Sequence, residues 1–190
     1  MIALYVSLNN CNLCHDSDTL YIFLISVKFY IRYNFRTNNH GRRKKLKHLK
    51  FIDNHGSFCV NRPENTSYLY FPLASEAGLK SSVTPLLGGD SKINQDTFLL
   101  EPVSSENLHN NRSSRNFWII KEGCSPYSVT GSSAHQEAER FTPDQEDSEL
   151  TAGLMWQTLE RTSDKLKLSS SVTSFIPVND NVEIMYVTIK

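Results

Sequence analysis

The sequence predicts an all-β fold of antiparallel strands packed in layers, and three features predict it. Beyond residue 50, turn residues divide the chain into short runs, those runs are rich in aromatic and β-branched residues, and several keep a two-residue apolar period. Windows with a helical period are scarce. At 190 residues the chain fits one domain of ordinary size, with core enough to fold alone.

The first segment stands apart. Eighteen residues between Met1 and His40 are Ile, Tyr, Phe, Asn or Lys, the composition of translated A/T-rich intergenic DNA. The apolar positions keep neither a 3.6 nor a 2.0 period, so no packed element is specified. Residues 1–48 are therefore expected to form an irregular extension, poorly structured or mis-translated. A short interfacial anchor is the alternative, since Phe, Tyr and Lys are mixed there. The most apolar stretch, Thr19 to Tyr33, is interrupted by Lys28 and Arg32 and falls short of the roughly 20 residues that cross a bilayer. It has neither a basic start nor a small-residue cleavage site, so it does not read as a secretory signal. No membrane partner is expected.

Charge divides at the same place. Residues 1–50 carry nine Lys or Arg against two Asp, and the remainder eleven against eighteen acidic residues. The run from Arg42 to Lys50 could neutralise phosphates, but no aromatic platform or nucleic-acid fold follows it. It is read as a solvated lead-in, and no nucleic-acid partner is expected. Four cysteines, Cys11, Cys14, Cys59 and Cys124, are too few and scattered for a disulfide scaffold, which points to a reduced cytoplasmic location. Cys11 and Cys14, with His15 following, have a zinc-like spacing, but a structural site needs a second pair that the chain does not offer. No metal is expected.

Phe51 to Val60 reads as a hairpin, because Asn54-His55-Gly56 supplies a turn able to take positive φ. Thr66 to Phe71 should be a strand that ends at Pro72. Leu86 to Asp90 reads as a loop, whereas Thr97 to Leu100 and Asn116 to Lys121 are apolar runs of core strands. From Leu150 to Thr158 an extended backbone would set Leu150, Ala152, Leu154, Trp156 and Thr158 on one face. The same period recurs at Leu166, Leu168, Ser170, Val172, Ser174 and Ile176, with Lys165 and Lys167 opposite. Val182 to Ile189 is nearly continuous apolar sequence and is expected to be a central strand buried on both faces. An apolar edge left open there would invite pairing, so the sandwich at 49–190 is expected to be incomplete and completed by further polypeptide.

Six segments occur in one order: Phe51-Ile52-Asp53-Asn54, Tyr68 to Leu73, Thr84 to Lys92, Phe98-Leu99-Leu100, Ser114 to Trp118, and Ser128-Val129-Thr130-Gly131. Together they resemble the amino-terminal region of bacterial inverting glycoside phosphorylases of the cellobiose phosphorylase type, in the branch acting on β-linked oligoglucans. The resemblance runs from about Leu49 to Lys190. It implies a sandwich of the galactose-mutarotase-like super-sandwich kind, followed in the family by a linker and an (α/α)₆ barrel. In such enzymes phosphate attacks the anomeric carbon while a carboxylic acid protonates the leaving oxygen. No residue here matches the family's catalytic motif, so the chain is expected to hold no catalytic residue and no cofactor, with inorganic phosphate a co-substrate only of the complete enzyme. An oligosaccharide is the expected partner, and oligomers occur in the family. A free-standing carbohydrate-binding module is the alternative.

Other candidates carry less. Asp144, Glu146, Asp147 and Glu149 lie in a polar, turn-like setting with no apolar wall to raise one pKa, and read as a solvated loop. Gly88 to Lys92 lacks the spacing of a phosphate loop. Asp90, Lys92 and Gln95 would bond sugar hydroxyls or, more simply, pin a loop. Gly131-Ser132-Ser133-Ala134-His135 is not a nucleophile elbow, and His135 has no acid partner. Trp118 and Trp156 could stack on a pyranose but read as core, leaving Tyr127 as the more exposed aromatic.

Overall fold

The computed structural model describes residues 2–8, 29–33, 49–65, 70–100, 115–120 and 123–190. Its strands are β1 (Ile2–Leu8), β2 (Phe29–Tyr33), β3 (Leu49–Phe51), β4 (Phe58–Asn61), β5 (Phe71–Ala74), β6 (Lys80–Val83), β7 (Gly89–Lys92), β8 (Phe98–Leu100), β9 (Trp118–Ile119), β10 (Tyr127–Ser128), β11 (Asp147–Gly153), β12 (Trp156–Ser163), β13 (Leu168–Phe175) and β14 (Glu183–Ile189). Among the described residues a short helix, α1 (Ala134–Glu139), and a 3₁₀ turn at Pro63–Asn65 interrupt them. The fold is all-β and sandwich-like, and its sheets do not close into a barrel. Among the described residues no helix is long and apolar enough to cross a membrane.

The large sheet has the order β2-β1-β14-β13-β12-β11-β4-β3, and the second has the order β5-β6-β7-β8. From β11 to β14 the large sheet is a run of antiparallel neighbours. The core lies between the sheets. Leu73, Leu79, Val83 and Leu87 from the smaller sheet and its turns meet Leu168, Val172, Met185, Val187 and Ile189 of β13 and β14, with Phe117, Ile119, Tyr127 and Val129 filling the margin. The period read at Leu168, Ser170, Val172 and Ser174 is the buried side of β13, as a sheet covered on one face requires.

The hairpin at Asn54-His55-Gly56 joins β3 to β4, with Gly56 at φ +89°. Asp53 Oδ1 accepts from the His55 and Ser57 amides at 2.8 and 2.9 Å, and the Ser57 hydroxyl, followed by these amides, holds its carboxyl below the usual range.

Several expectations are corrected. The strand expected to end at Pro72 runs through it, from Phe71 to Ala74, while residues 66–69 lie outside the described residues. Proline is accommodated because β5 is an edge strand, whose missing amide can face away from the ladder. Gly89 and Asp90 open β7 rather than a loop, since the turn closes earlier through Thr84 and Gly88. Phe98 and Leu99 are exposed, not core, because β8 is the other edge of that sheet.

Leu150 to Thr158 is not one strand but a hairpin. Leu154 and Met155 form its tip, where Leu154 is 82% exposed and Met155 takes φ +62°. The turn changes the phase of the alternation, so Leu150 and Ala152 face the core while Leu159 replaces Thr158 there. In β14 the burial alternates instead of covering both faces. Its far edge is not open: β1 pairs with it in parallel from Ile2↔Glu183 to Leu8↔Ile189, and β2 extends the sheet from within the segment where no element was expected. That pairing is made by backbone groups, which need no side-chain period.

Candidate functional site

Two buried clusters of charge dominate the polar interior. The first is built on Arg115, which is 2% exposed and sits just before β9. Its Nε and Nη2 donate to the two carboxylate oxygens of Glu183, the latter at 3.0 Å. Its remaining N–H groups reach the carbonyls of Gly89 at 3.0 Å, Leu87 at 3.5 Å and Asp90 at 2.8 Å. All five guanidinium donors are thereby matched. Ser81 donates to Glu183 Oε2 and lies 2.9 Å from Ser91 Oγ. The small sheet, the β6–β7 turn and β14 are thus tied at one point.

The second cluster sits between α1, β11 and β12. Arg161, 4% exposed, places Nη1 3.6 Å from Glu64 Oε1 and Nη2 3.6 Å from Glu146 Oε2. Glu64 also accepts from Gln145 Nε2 at 2.8 Å and Ser148 Oγ at 2.6 Å, and Glu146 accepts from Gln136 Nε2 at 2.9 Å. Gly131, at φ +79°, leaves the guanidinium room that a Cβ would take from it. Gln136 in turn caps α1: Ser133 and Gln136 form a reciprocal capping box, and the Gln136 amide also bonds both backbone groups of Ser128. Ser128, Thr130, Ser132 and Asn116 complete a hydroxyl and amide network at 2.8 to 3.1 Å.

The expected residues are therefore redistributed. Asp144 is exposed, but Glu146 is half-buried beside Arg161 rather than solvated, and Gln136 of α1 donates to it. Asp147 and Glu149 belong to β11, and Asp147 lies 3.6 Å from Arg62. Asp90 gives its carbonyl to Arg115, Lys92 lies over the Phe98 ring at 5.7 Å, and Gln95 stands exposed in the next turn. These three form no common constellation. His135 is exposed on α1 beside Glu139, with Nε2 3.4 Å from its carboxylate.

Tyr127 is 3% exposed, so it is not the accessible aromatic; Trp118 and Trp156 are half-buried and more accessible than it is. The short β9–β10 pair turns Tyr127 inward toward the core. Cys11, Cys14, His15 and most of the basic run lie outside the described residues. Among those described, no group of three metal-type ligands comes together.

Glu64, Arg161 and Glu183 were missed as buried charges, yet two of them leave a trace in the sequence. Arg161 follows Leu159 on the buried parity of its strand, and Glu183 shares parity with Met185, Val187 and Ile189. A charged residue on the apolar side of a strand needs a buried partner. The S-x-x-Q pattern at Ser133–Gln136 marked the helix start in the same way.

Burial and the Glu146 charge push the Tyr127 phenol up to about 12, and burial beside Glu149 pushes the Cys59 thiol up to about 11. Both folded values lie above the ordinary ones of 10.0 and 9.0, so the stability they contribute is present below those values and lost as pH rises through the folded ones. Denaturant midpoints should fall between about pH 9 and 12. Tyr127→Phe should remove the upper share of that fall, and an unchanged profile in the variant would refute the assignment.

No protein-family model matches the chain, and no curated protein matches it.

Proposed function

We propose that residues 49–190 act as a non-catalytic, carbohydrate-associated β-sandwich of the inverting glycoside phosphorylase type. The observation that carries this reading is the use made of the motifs behind the resemblance. Arg115 binds the backbone of Leu87, Gly89 and Asp90, so the segments Ser114 to Trp118 and Thr84 to Lys92 are joined by one buried side chain. Ser128 and Thr130 join Asn116 in the same fashion. Residues used in this way hold loops in place; they do not attack a glycosidic bond. The carboxylates of buried Glu64 and Glu183 and of half-buried Glu146 are likewise directed at arginines.

A free-standing carbohydrate-binding module is the second reading. It is favoured by the pairing of β1 along β14, which occupies the edge that additional strands would take. Under both readings the ligand is a β-linked gluco-oligosaccharide, met in the cytoplasm, and the chain performs no phosphorolysis by itself.

Calorimetric titration of the purified chain with β-1,4- and β-1,2-linked glucohexaose tests this. Saturable binding of at least one, with no glucose 1-phosphate released in phosphate buffer, is the expected result. Absence of heat with both sugars would remove the carbohydrate reading.

A further inference from the structure

The side of the large sheet turned away from the core carries its residues in ordered rows. Strand register sets Gly153, Trp156, Phe175 and Ile184 side by side across β11, β12, β13 and β14. The next row holds Thr151, Thr158, Thr173 and Tyr186, and the third Glu149, Glu160, Ser171 and Thr188. None of these belongs to the buried parity of its strand. Neighbours within a row are about 4.8 Å apart and successive rows about 7 Å apart.

The position of Trp156 is specific. A Cβ added to Gly153 would meet its Nε1, Cε2 and Cζ2 at 2.5 to 2.9 Å, so the half-buried indole packs closely against the glycine. Beside it Thr158 and Thr173 share a hydrogen bond of 2.8 Å, leaving each hydroxyl further acceptor capacity, and Glu160 beyond them is exposed.

We propose that this outer face is a binding platform for a neutral β-linked glucan chain, with Trp156 stacking on a pyranose and Thr158, Thr173 and Glu160 taking its hydroxyls. The ordering fits a sugar, whose ring offers C–H surface to an aromatic while its rim offers hydroxyls to oxygen acceptors. An apolar partner would gain nothing from the second and third rows. Glu149 and Glu160 on the face, with Lys50 at its β3 end, do not make the basic surface that a nucleic acid or a phosphorylated ligand needs, and an uncharged oligosaccharide requires none. The platform rests on the carbohydrate reading above and adds its location.

Two variants test it. The chain has two tryptophans, so Trp118→Phe leaves Trp156 as the only reporter, and its emission should change saturably with the β-linked glucohexaose that binds in calorimetry. Trp156→Ala should weaken that binding about tenfold, while maltohexaose serves as the control. Binding by Trp156→Ala equal to that of the parent chain would overturn the platform and leave the carbohydrate reading standing. Loss of fold in that variant shifts the decision to the Trp118→Phe chain, where binding with silent Trp156 emission also overturns the platform. Failure of the parent chain to bind any β-linked glucohexaose removes both.

Discussion

Arg115→Met is expected to lower unfolding free energy by about 3–5 kcal/mol, the range for removing one partner of a buried ion pair. Methionine fills much of the volume but leaves Glu183 without its counter-charge in the core. The carbonyls of Leu87, Gly89 and Asp90 lose their donors at the same time. Pairing the change with Glu183→Leu should recover a large part of the loss, since two apolar residues no longer strand a charge. Recovery should stop short of completeness because the Arg115 hydrogen bonds to those carbonyls are still missing. Urea unfolding of the two variants checks this, and a loss under about 1 kcal/mol for the single change would show that the cluster does not hold the sheets together.

Gly89→Ala should be nearly as damaging, above about 3 kcal/mol, because two costs combine. At φ +113° the backbone lies where side chains are strained, and a Cβ would run into the carbonyl of Ser82 on the facing strand. Ser82 is held in the β6–β7 ladder opposite Asp90, so the obstacle is backbone and cannot rotate away. Gly56→Ala is the matched control: its φ is +89°, but nothing lies within 4 Å of the added atom. It should cost about 1 kcal/mol, the conformational share alone. Equal losses at the two positions would mean that the close approach at Ser82 does not matter.

The fold was most legible where one face of a strand is buried and the other wet. Leu168, Val172 and Ile176 show this, and so does the Asn54-His55-Gly56 turn. Legibility failed at the β11–β12 hairpin: Gly153 stands beside the tip, but Met155 takes the positive φ with a side chain, and the apolar Leu154 and Met155 hide the break in phase between Ala152 and Leu159. It failed again at β1, whose backbone pairing leaves no periodic signature.

The polar interior was the least legible part. Glu64 and Arg161 are separated by nearly a hundred residues and meet only because β4 and β12 both flank β11. Pairings of that kind follow from strand order, which local patterns do not specify. The rows on the outer face have the same origin. Trp156 was visible as an aromatic residue, whereas its alignment with Gly153 and Phe175 depends on the register of three strands.

The carbohydrate assignment is tested most directly by backbone amide NMR of the intact chain during titration with a β-linked glucohexaose. Shifts concentrated at Trp156, Thr158, Glu160, Thr173 and Phe175, with the amides around Arg115 and Glu64 unmoved, are the predicted pattern. A spectrum that stays constant through the titration, or one that moves only at the buried arginine clusters, would contradict it.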